Sequence, residues 1–464
     1  MAGIGFRLKR LLAEESYGGW LRAHLYGAVV SSGPWLFSIC TLATLALLSG
    51  RVVADADQQL FRVVVVYTYT FSLVTTGGLQ MVVTRHLADC LYLGNPAAFH
   101  SAYRWTIGAT AFLHAALAAV FYGLAPDLPP LVRVEAVTLF VVVACTWMVM
   151  VFVGAAQDYA SVVAAFFGGN LLSLAGALGG GALAGVSGYV GGFLLGQAVI
   201  LFVLCARVER EFAGGATVAP RALLAAFRRY PALALGGLVY SAAITVDRLI
   251  FWASAEGWRV QSWFFASPYD TPLFLAYLSV VPSLAIFLVS VETTFYDQYR
   301  RYYGMVTRHG TLRQVLGAKR AMADSLGTSL WRLAVVQGPV TLVLVAAAPQ
   351  LGRLAALEPL QVGILRAALL GAPLHILALF GTIILLYFDR RQAALEVSAV
   401  LLAGNAGLTL VSLALGPQFH GQGYALAALA ACLWAYRRLE QTLADLEYLT
   451  FASQPMVPER REVA

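Results

Sequence analysis

The chain has 464 residues, 60% of them hydrophobic and only 12% charged, with a mean hydropathy of +0.75 and a formal net charge of +7. Soluble domains carry about a quarter charged residues, so a sizeable water-facing domain is excluded. Apolar runs close to the ~20 residues that cross a hydrocarbon core of about 30 Å recur from end to end, and the fold class read from them is an all-α polytopic membrane protein.

The opening MAGIGFRLKRLLAEESYGGWLRAHLYG is basic and amphipathic. Its apolar continuation is too long for a signal-peptide core and lacks a small-residue cleavage site. Twelve transmembrane helices are expected, at 24–50, 60–84, 105–126, 131–154, 160–183, 186–206, 231–252, 271–293, 328–349, 362–388, 392–416 and 421–437. They divide into a cytoplasmic amphipathic N-terminus (1–23), an N-lobe of spans one to six (24–206), a cytoplasmic linker (207–230), a C-lobe of spans seven to twelve (231–437) and a cytoplasmic tail (438–464). Cytoplasmic loops collect Lys and Arg. With the N-terminus inside, 23 of the 31 basic residues fall on that side, which predicts both termini in the cytoplasm. The positive charge is then a topology signal, and no nucleic-acid partner is expected. Arg228, Arg229, Arg300, Arg301, Arg390 and Arg391 are the basic loop residues expected to face anionic lipid or a cytoplasmic partner.

The second span carries VYTYTFSL, with Tyr67, Tyr69 and Phe71; aromatic faces with hydroxyl handles suit sugar rings and helix packing alike. The fifth and sixth spans read FFGGNLLSLAGALGGGALAGVSGYV, and the eleventh and twelfth VLLAGNAGLTLVSLALGPQFHGQGYAL. Gly169–Asn170 matches Gly404–Asn405, and Gly188–Tyr189 matches Gly423–Tyr424, at one offset of 235 residues. This suggests two six-span halves in parallel orientation, an arrangement that places a pathway between the halves; chance agreement of small residues is the alternative.

Polar groups in hydrocarbon face cavities or other helices. Asn170 with Ser173, Gln197, and Asn405 with Thr409 and Ser412, each set on one helix face, are therefore candidate path residues; interhelical hydrogen bonding accounts for them equally. Asp247 and Arg248 are adjacent and lie near the outer end of the seventh span. Snorkelling explains them, and a cavity role makes them the remaining path candidates. His114 and His375 are expected to be satisfied packing residues. The loop GWRVQSWFFASPYD holds Trp258 and Trp263 as interfacial anchors. In SVVPSLAIFLVSVETTFYDQYRRYYG (Ser279–Gly304), Pro282 distorts the eighth span, Glu292 marks its inner edge and Arg300–Arg301 begin a cytoplasmic loop.

No carboxylate falls near a predicted midplane, so coupling through a deep acid is unsupported. The five cysteines (Cys40, Cys90, Cys145, Cys205, Cys432) form no CxxC pair and accompany no His cluster. No metal site, cofactor or disulfide framework is expected. There is no GxxxxGK[ST], HExxH or GxSxG, so no catalytic residue is assigned and the chain is not read as an enzyme.

Three separated blocks carry a family resemblance. Met1–Ile39, Tyr269–Tyr299 and Leu385–Leu395 resemble the PelG family, the membrane-embedded transporters of Pel exopolysaccharide export. The resemblance implies a flippase-like fold of the multidrug/oligosaccharidyl-lipid/polysaccharide exporter superfamily, twelve spans in two lobes and the bacterial inner membrane. It implies export of an amino-sugar-rich biofilm polymer. The partners it implies are a cytoplasmic glycosyltransferase and other Pel-type inner-membrane subunits, including one that binds cyclic di-GMP. The alternatives are a membrane anchor for the polysaccharide synthase and a small-molecule antiporter of the same superfamily.

Overall fold

The computed structural model describes residues 17–48, 50, 52–156, 158–212, 220–261 and 263–452. The side chains of the expected amphipathic terminus, the side chain of Glu292, and Arg460 and Arg461 of the tail lie outside the described residues. The helices are α1 (Tyr17–Leu48), α2 (Asp55–Tyr92), α3 (Pro96–Gly123), α4 (Pro130–Ala156) and α5 (Tyr159–Glu211). After the linker come α6 (Arg221–Arg229), α7 (Pro231–Ala243) and α8 (Val246–Ala253), then an antiparallel hairpin of β1 (Trp258–Val260) and β2 (Phe264–Ala266). The chain continues with α9 (Asp270–Leu278), α10 (Val281–Ser290), a π-helical turn (Val291–Phe295), α11 (Tyr296–Thr307), α12 (Leu312–Ala346) and α13 (Ala348–Leu354). It closes with α14 (Pro359–Tyr387), α15 (Arg391–Leu415), α16 (Gln422–Ala444) and α17 (Leu446–Phe451). Among the described residues, seven helices are long and apolar enough to cross a membrane, or nine when two bent pairs each count as one crossing.

Helices α1–α5 pack chiefly on one another, as do α7–α16, so the bundle is two bundles joined along α2 with α7 and along α1 with α10. In each half a glycine-lined hairpin supplies close contacts. Helix α5, straight, would run about 80 Å. It breaks instead at Ala184 and Gly185, where Gly185 takes φ 61°. The arms then approach so closely that a Cβ on Gly176 would meet Gly192 O at 2.7 Å, the contact that small residues four apart permit between membrane helices. Helices α15 and α16 make the second hairpin through a turn containing Gly416 (φ 106°) and Gly421 (φ 87°). Tyr189 and Tyr424 are both 1% exposed. The two hairpins differ in register: Gly188 abuts Gly180, whereas Gly423 abuts Leu408 and Thr409.

Two expected spans are broken, and the breaks explain several buried polar residues. The seventh is not one helix over 231–252 but α7 and α8. Thr245 Oγ1 donates back to Ser241 O (3.1 Å) and Ala242 O (3.0 Å), competing with the backbone ladder. Asn405 Nδ2 donates to Ala243 O at 2.9 Å, satisfying a carbonyl at the break. The eighth span breaks at Ser279–Val280, with Pro282 in the first turn of α10, where its missing N–H costs nothing. Gln337 Nε2 donates to Ser279 O at 3.0 Å while Ser283 Oγ donates to Gln337 Oε1 at 2.6 Å.

Soluble-side caps fix helix ends. Asp158, the N-cap of α5, accepts from Ser161 N (3.2 Å) and Ser161 Oγ (2.5 Å) and pairs with Arg207 Nε. Partial burial raises its pKa, but the Ser161 hydrogen bonds and Arg207 outweigh it and hold the carboxyl below the ordinary range. A depressed folded-state pKa stabilises above the unfolded value and is lost as pH falls through the folded one. Asp158→Ala is therefore expected to cost about 1 kcal/mol of stability at neutral pH. The difference in Tm between variant and wild type in detergent should shrink on acidification; a pH-independent difference refutes the ion-pair account.

Candidate functional site

The seam between the bundles is where residues from both halves meet along the length of a helix. Helices α2 and α7–α8 run antiparallel there, because contacts pair rising with falling numbers: Thr70 with Arg248, Gly77 with Ser241 and Gly237, and Asp89 with Tyr230. At its middle no side chain separates the backbones. A Cβ on Gly77 would meet Gly237 O at 2.7 Å, and one on Gly78 would meet Ala234 O at 2.6 Å.

At the β-hairpin end the seam closes on aromatic and charged groups. The Tyr67 and Trp252 rings stack at 4.7 Å and 4°. Tyr67 Oη donates to Phe265 O (3.3 Å) and accepts from Phe265 N (2.8 Å), so the hairpin of the second half is tied to α2 of the first. Beneath lies an ionic network in which Asp247 is buried and Arg248 and Asp270 are half-buried. Arg248 Nε stands 3.0 Å from Asp270 Oδ1, and Arg248 Nη1 donates to Thr70 Oγ1 at 3.1 Å. Asp270 Oδ2 accepts from Trp252 Nε1 at 2.9 Å and from Ser267 N at 3.1 Å. Asp247, 0% exposed, accepts from Tyr269 Oη at 2.8 Å and from Arg248 N at 2.9 Å.

This corrects one expectation. Asp247 and Arg248 do not snorkel: Asp247 points into the second bundle and Arg248 across the seam. The acids of the network are Asp247, which is buried, and Asp270, which is half-buried; both lie toward the hairpin end and not at a predicted midplane. Asp270 escaped notice because an acid in the first turn of a helix reads as a dipole partner. Thr70, 178 residues from Arg248, carried no signal at all.

The other path candidates divide between the halves. Tyr69 Oη donates to Gln197 Oε1 (3.1 Å), Gln197 Nε2 to Ser173 Oγ (3.1 Å), and Ser173 Oγ to Phe193 O (3.0 Å), a polar chain inside the first bundle. Asn170 Nδ2 donates to Phe166 O at 2.8 Å one turn away. In the second bundle Thr409 Oγ1 donates to Asn405 Oδ1 at 3.3 Å and Ser412 Oγ to Thr409 O at 2.8 Å. Each nitrogen of the two mid-helix histidines has a partner, as packing residues should. His114 sits against Thr75 Oγ1 and Thr110 O, both at 2.8 Å, and His375 against the Tyr240 and Tyr424 hydroxyls, both at 3.1 Å.

At the opposite end, where the last helices finish, the basic residues separate. Arg228, Arg229, Arg300, Arg301 and Arg390 are exposed. Arg391 is half-buried, its guanidinium 4.5 Å over the Tyr230 ring and bidentate on Asp389. Tyr230 lies at the vertex between α6 and α7, which meet at 76°. Pro231 opens α7, and the residue before a proline is held out of the helical region; Tyr230 has φ −123° and ψ 50°.

Two bundles of membrane-crossing helices joined at a central seam define a class. The fold is that of the multidrug/oligosaccharidyl-lipid/polysaccharide transporters. It is similar to an outward-facing multidrug resistance MATE family transporter of that superfamily, with TM-score 0.60 and 15% identity over 90% of this chain and 96% of that one. It is similar to the Vibrio cholerae MATE transporter VcmN in its bent form, with TM-score 0.60 and 14% identity over 96% and 99%. It is also similar to a transporter of the superfamily from Pyrococcus furiosus, with TM-score 0.57 and 14% identity over 91% and 96%. No curated protein matches the chain in sequence. The family model described as "PelG: Putative exopolysaccharide Exporter (EPS-E)" matches residues 1–451, and the chain belongs to the PelG family.

Proposed function

We propose that this protein passes an exopolysaccharide across the bacterial inner membrane between its two bundles. The polymer is Pel-like and amino-sugar-rich, and a cytoplasmic glycosyltransferase delivers it. The observation that carries this is the family match over 1–451 on a transporter fold. The bias of Lys and Arg supports placing both termini, and with them the Tyr230 end of the seam, in the cytoplasm. The β-hairpin then faces the periplasm. Twelve crossings follow if the second arm of α5, α1 and α16 are added to the nine apolar crossings. Arg248, which reaches Thr70 across the seam, together with Asp247, Tyr69, Gln197, Ser173, Asn170, Asn405, Thr409 and Ser412, are the polar groups proposed to serve the path. Arg228, Arg229, Arg300, Arg301 and Arg390 would meet the glycosyltransferase, the other Pel-type subunits, including one that binds cyclic di-GMP, or anionic lipid.

The deciding experiment deletes the chain in a producing cell and follows the polymer. With the glycosyltransferase active, polymer should accumulate inside or cease to be made, and complementation should restore export. Polymer reaching the exterior without the chain overturns the proposal. The close approach of α2 and α7 favours a second reading, a scaffold for the synthase. Single cysteines at Asn170, Gln197, Arg248 and Asn405, in a chain lacking its own five, separate the two. Labelling by an impermeant thiol reagent that polymer synthesis blocks supports a path. Unreactive sites in folded, export-competent protein support the scaffold.

A further inference from the structure

We propose that Tyr230 and the arginines around it form the gate that closes the seam at the end opposite the β-hairpin; this rests on reading the seam as a transport path. Three parts of the chain converge there. From the first bundle, α2 supplies Arg85 and Asp89. The linker supplies Arg229 and Tyr230, and the α14–α15 turn of the second bundle supplies Asp389 and Arg391. The Tyr230 ring, 4% exposed, has the guanidiniums of Arg391, Arg85 and Arg229 at 4.5, 5.5 and 5.6 Å from its centroid. Its hydroxyl donates to Asp89 Oδ2 at 3.0 Å. Asp389 takes φ 57° as the residue just past the end of α14, where its N–H donates to Leu386 O at 3.0 Å and the Arg390 N–H donates to Leu385 O at 2.9 Å, a helix-terminating turn that fixes where its carboxylate points. The fork of Arg391 grips it at 2.7 and 2.6 Å, and it reaches Arg85 Nη1 across the seam at 3.8 Å.

The charge arrangement is what makes this a gate and not a fixed tie. Within α2, Arg85 pairs with Asp89 at 3.3 Å; within the α14–α15 turn, Arg391 pairs with Asp389. When the bundles part, each carboxylate keeps an arginine on its own side. Among the described residues, the polar contacts of the clamp that cross the seam are the ones given up: Arg85 and Asp89 with Tyr230, and Arg85 with Asp389. Opening therefore strands no charge, whereas removing one partner of a buried pair does. The clamp is also partly exposed, with Arg85 and Asp389 side chains at 39% and 53%, so its cross-seam attraction is screened by salt.

Leu233 reports on the gate. It is 7% exposed, one turn deeper than Tyr230, and packed with Val82 and Ala226 in the seam. The test places Leu233→Cys in the full chain freed of its five cysteines, reconstitutes it in liposomes and measures its modification by an impermeant maleimide. Combining Arg85→Ala with Arg391→Ala should speed modification by about tenfold or more, a shift in open population of that size. Arg228→Ala, an exposed arginine outside the clamp, should leave the rate unchanged. Tyr230→Phe, which keeps the ring and loses the Asp89 hydrogen bond, should give an intermediate rate. With the clamp intact, modification should quicken between low and molar salt, which keeps the proposal testable where the double variant does not fold. A rate indifferent to both clamp and salt, or raised equally by Arg228→Ala, overturns it. No polymer enters this measurement, so failure of the export assay and failure of the gate are told apart.

Discussion

Gly237→Leu is expected to abolish export and lower thermal stability, while Gly236→Leu, one residue away, does neither. A Cβ at 237 would overlap Gly77 O and meet Met81 Cγ at 2.7 Å; one at 236 meets nothing within 4 Å. The added atoms cannot be absorbed by a flexible neighbour, because the obstacle on the α2 side is backbone. Overpacking of this kind typically costs about 1–3 kcal/mol. Here it falls where the halves of the protein touch, so it forces α2 and α7 apart. Tm in detergent and polymer export, measured side by side for the two variants, check the expectation. Equal behaviour of the two substitutions would mean that the seam is not held at the distance seen. Gly77→Ala should reproduce the effect from the other side, since its Cβ would meet Gly237 O at 2.7 Å.

Removal of the Arg248 guanidinium is the second large effect. Arg248→Ala leaves Asp270 without its ion-pair partner among Trp252, Ser267 and the seam, and takes from Thr70 the bond that crosses between bundles. Breaking a fully buried pair by deleting one partner costs about 3–5 kcal/mol, because the other charge stays behind; with the Arg248 and Asp270 side chains 17% and 21% exposed, the cost here should fall below that range. We expect little monodisperse protein from Arg248→Ala. Combining it with Asp270→Asn, which removes the stranded charge while retaining a polar group for Trp252 and Ser267, should recover a substantial part of the yield. The cycle of single and double variants isolates the coupling. Strict additivity of the two losses would show that the residues do not act as a pair. Restored yield without restored export would separate the network's structural part from its part in transport.

Much of this molecule was legible from one line of letters. Composition required a membrane protein, since a chain with 12% charged residues cannot clothe a large soluble surface. The three blocks resembling PelG pointed to the family that the match over 1–451 establishes. Mid-helix histidines with partners on every nitrogen followed from the cost of an unsatisfied polar group in hydrocarbon.

What the sequence hid was long-range or conformational. Hydropathy reads a span as continuous wherever residues stay apolar, so it passed over the break at Ile244–Thr245, where a threonine hydroxyl competes with the backbone. It therefore could not say that Asn405 attends to Ala243 O, or Gln337 to Ser279 O. Asp247 and Arg248 looked like residues near a span end, free to reach water, because depth along a helix says nothing about which neighbour covers it. The Tyr230 clamp gathers Asp89, Tyr230 and Asp389 from three distant stretches, and no periodicity links them. Local sequence thus determined the solvent, most of the helices and the family. Only tertiary structure decided which polar groups serve the backbone and which bridge the seam, because a side chain's partner across a bundle is set by the approach of helices far apart in the chain.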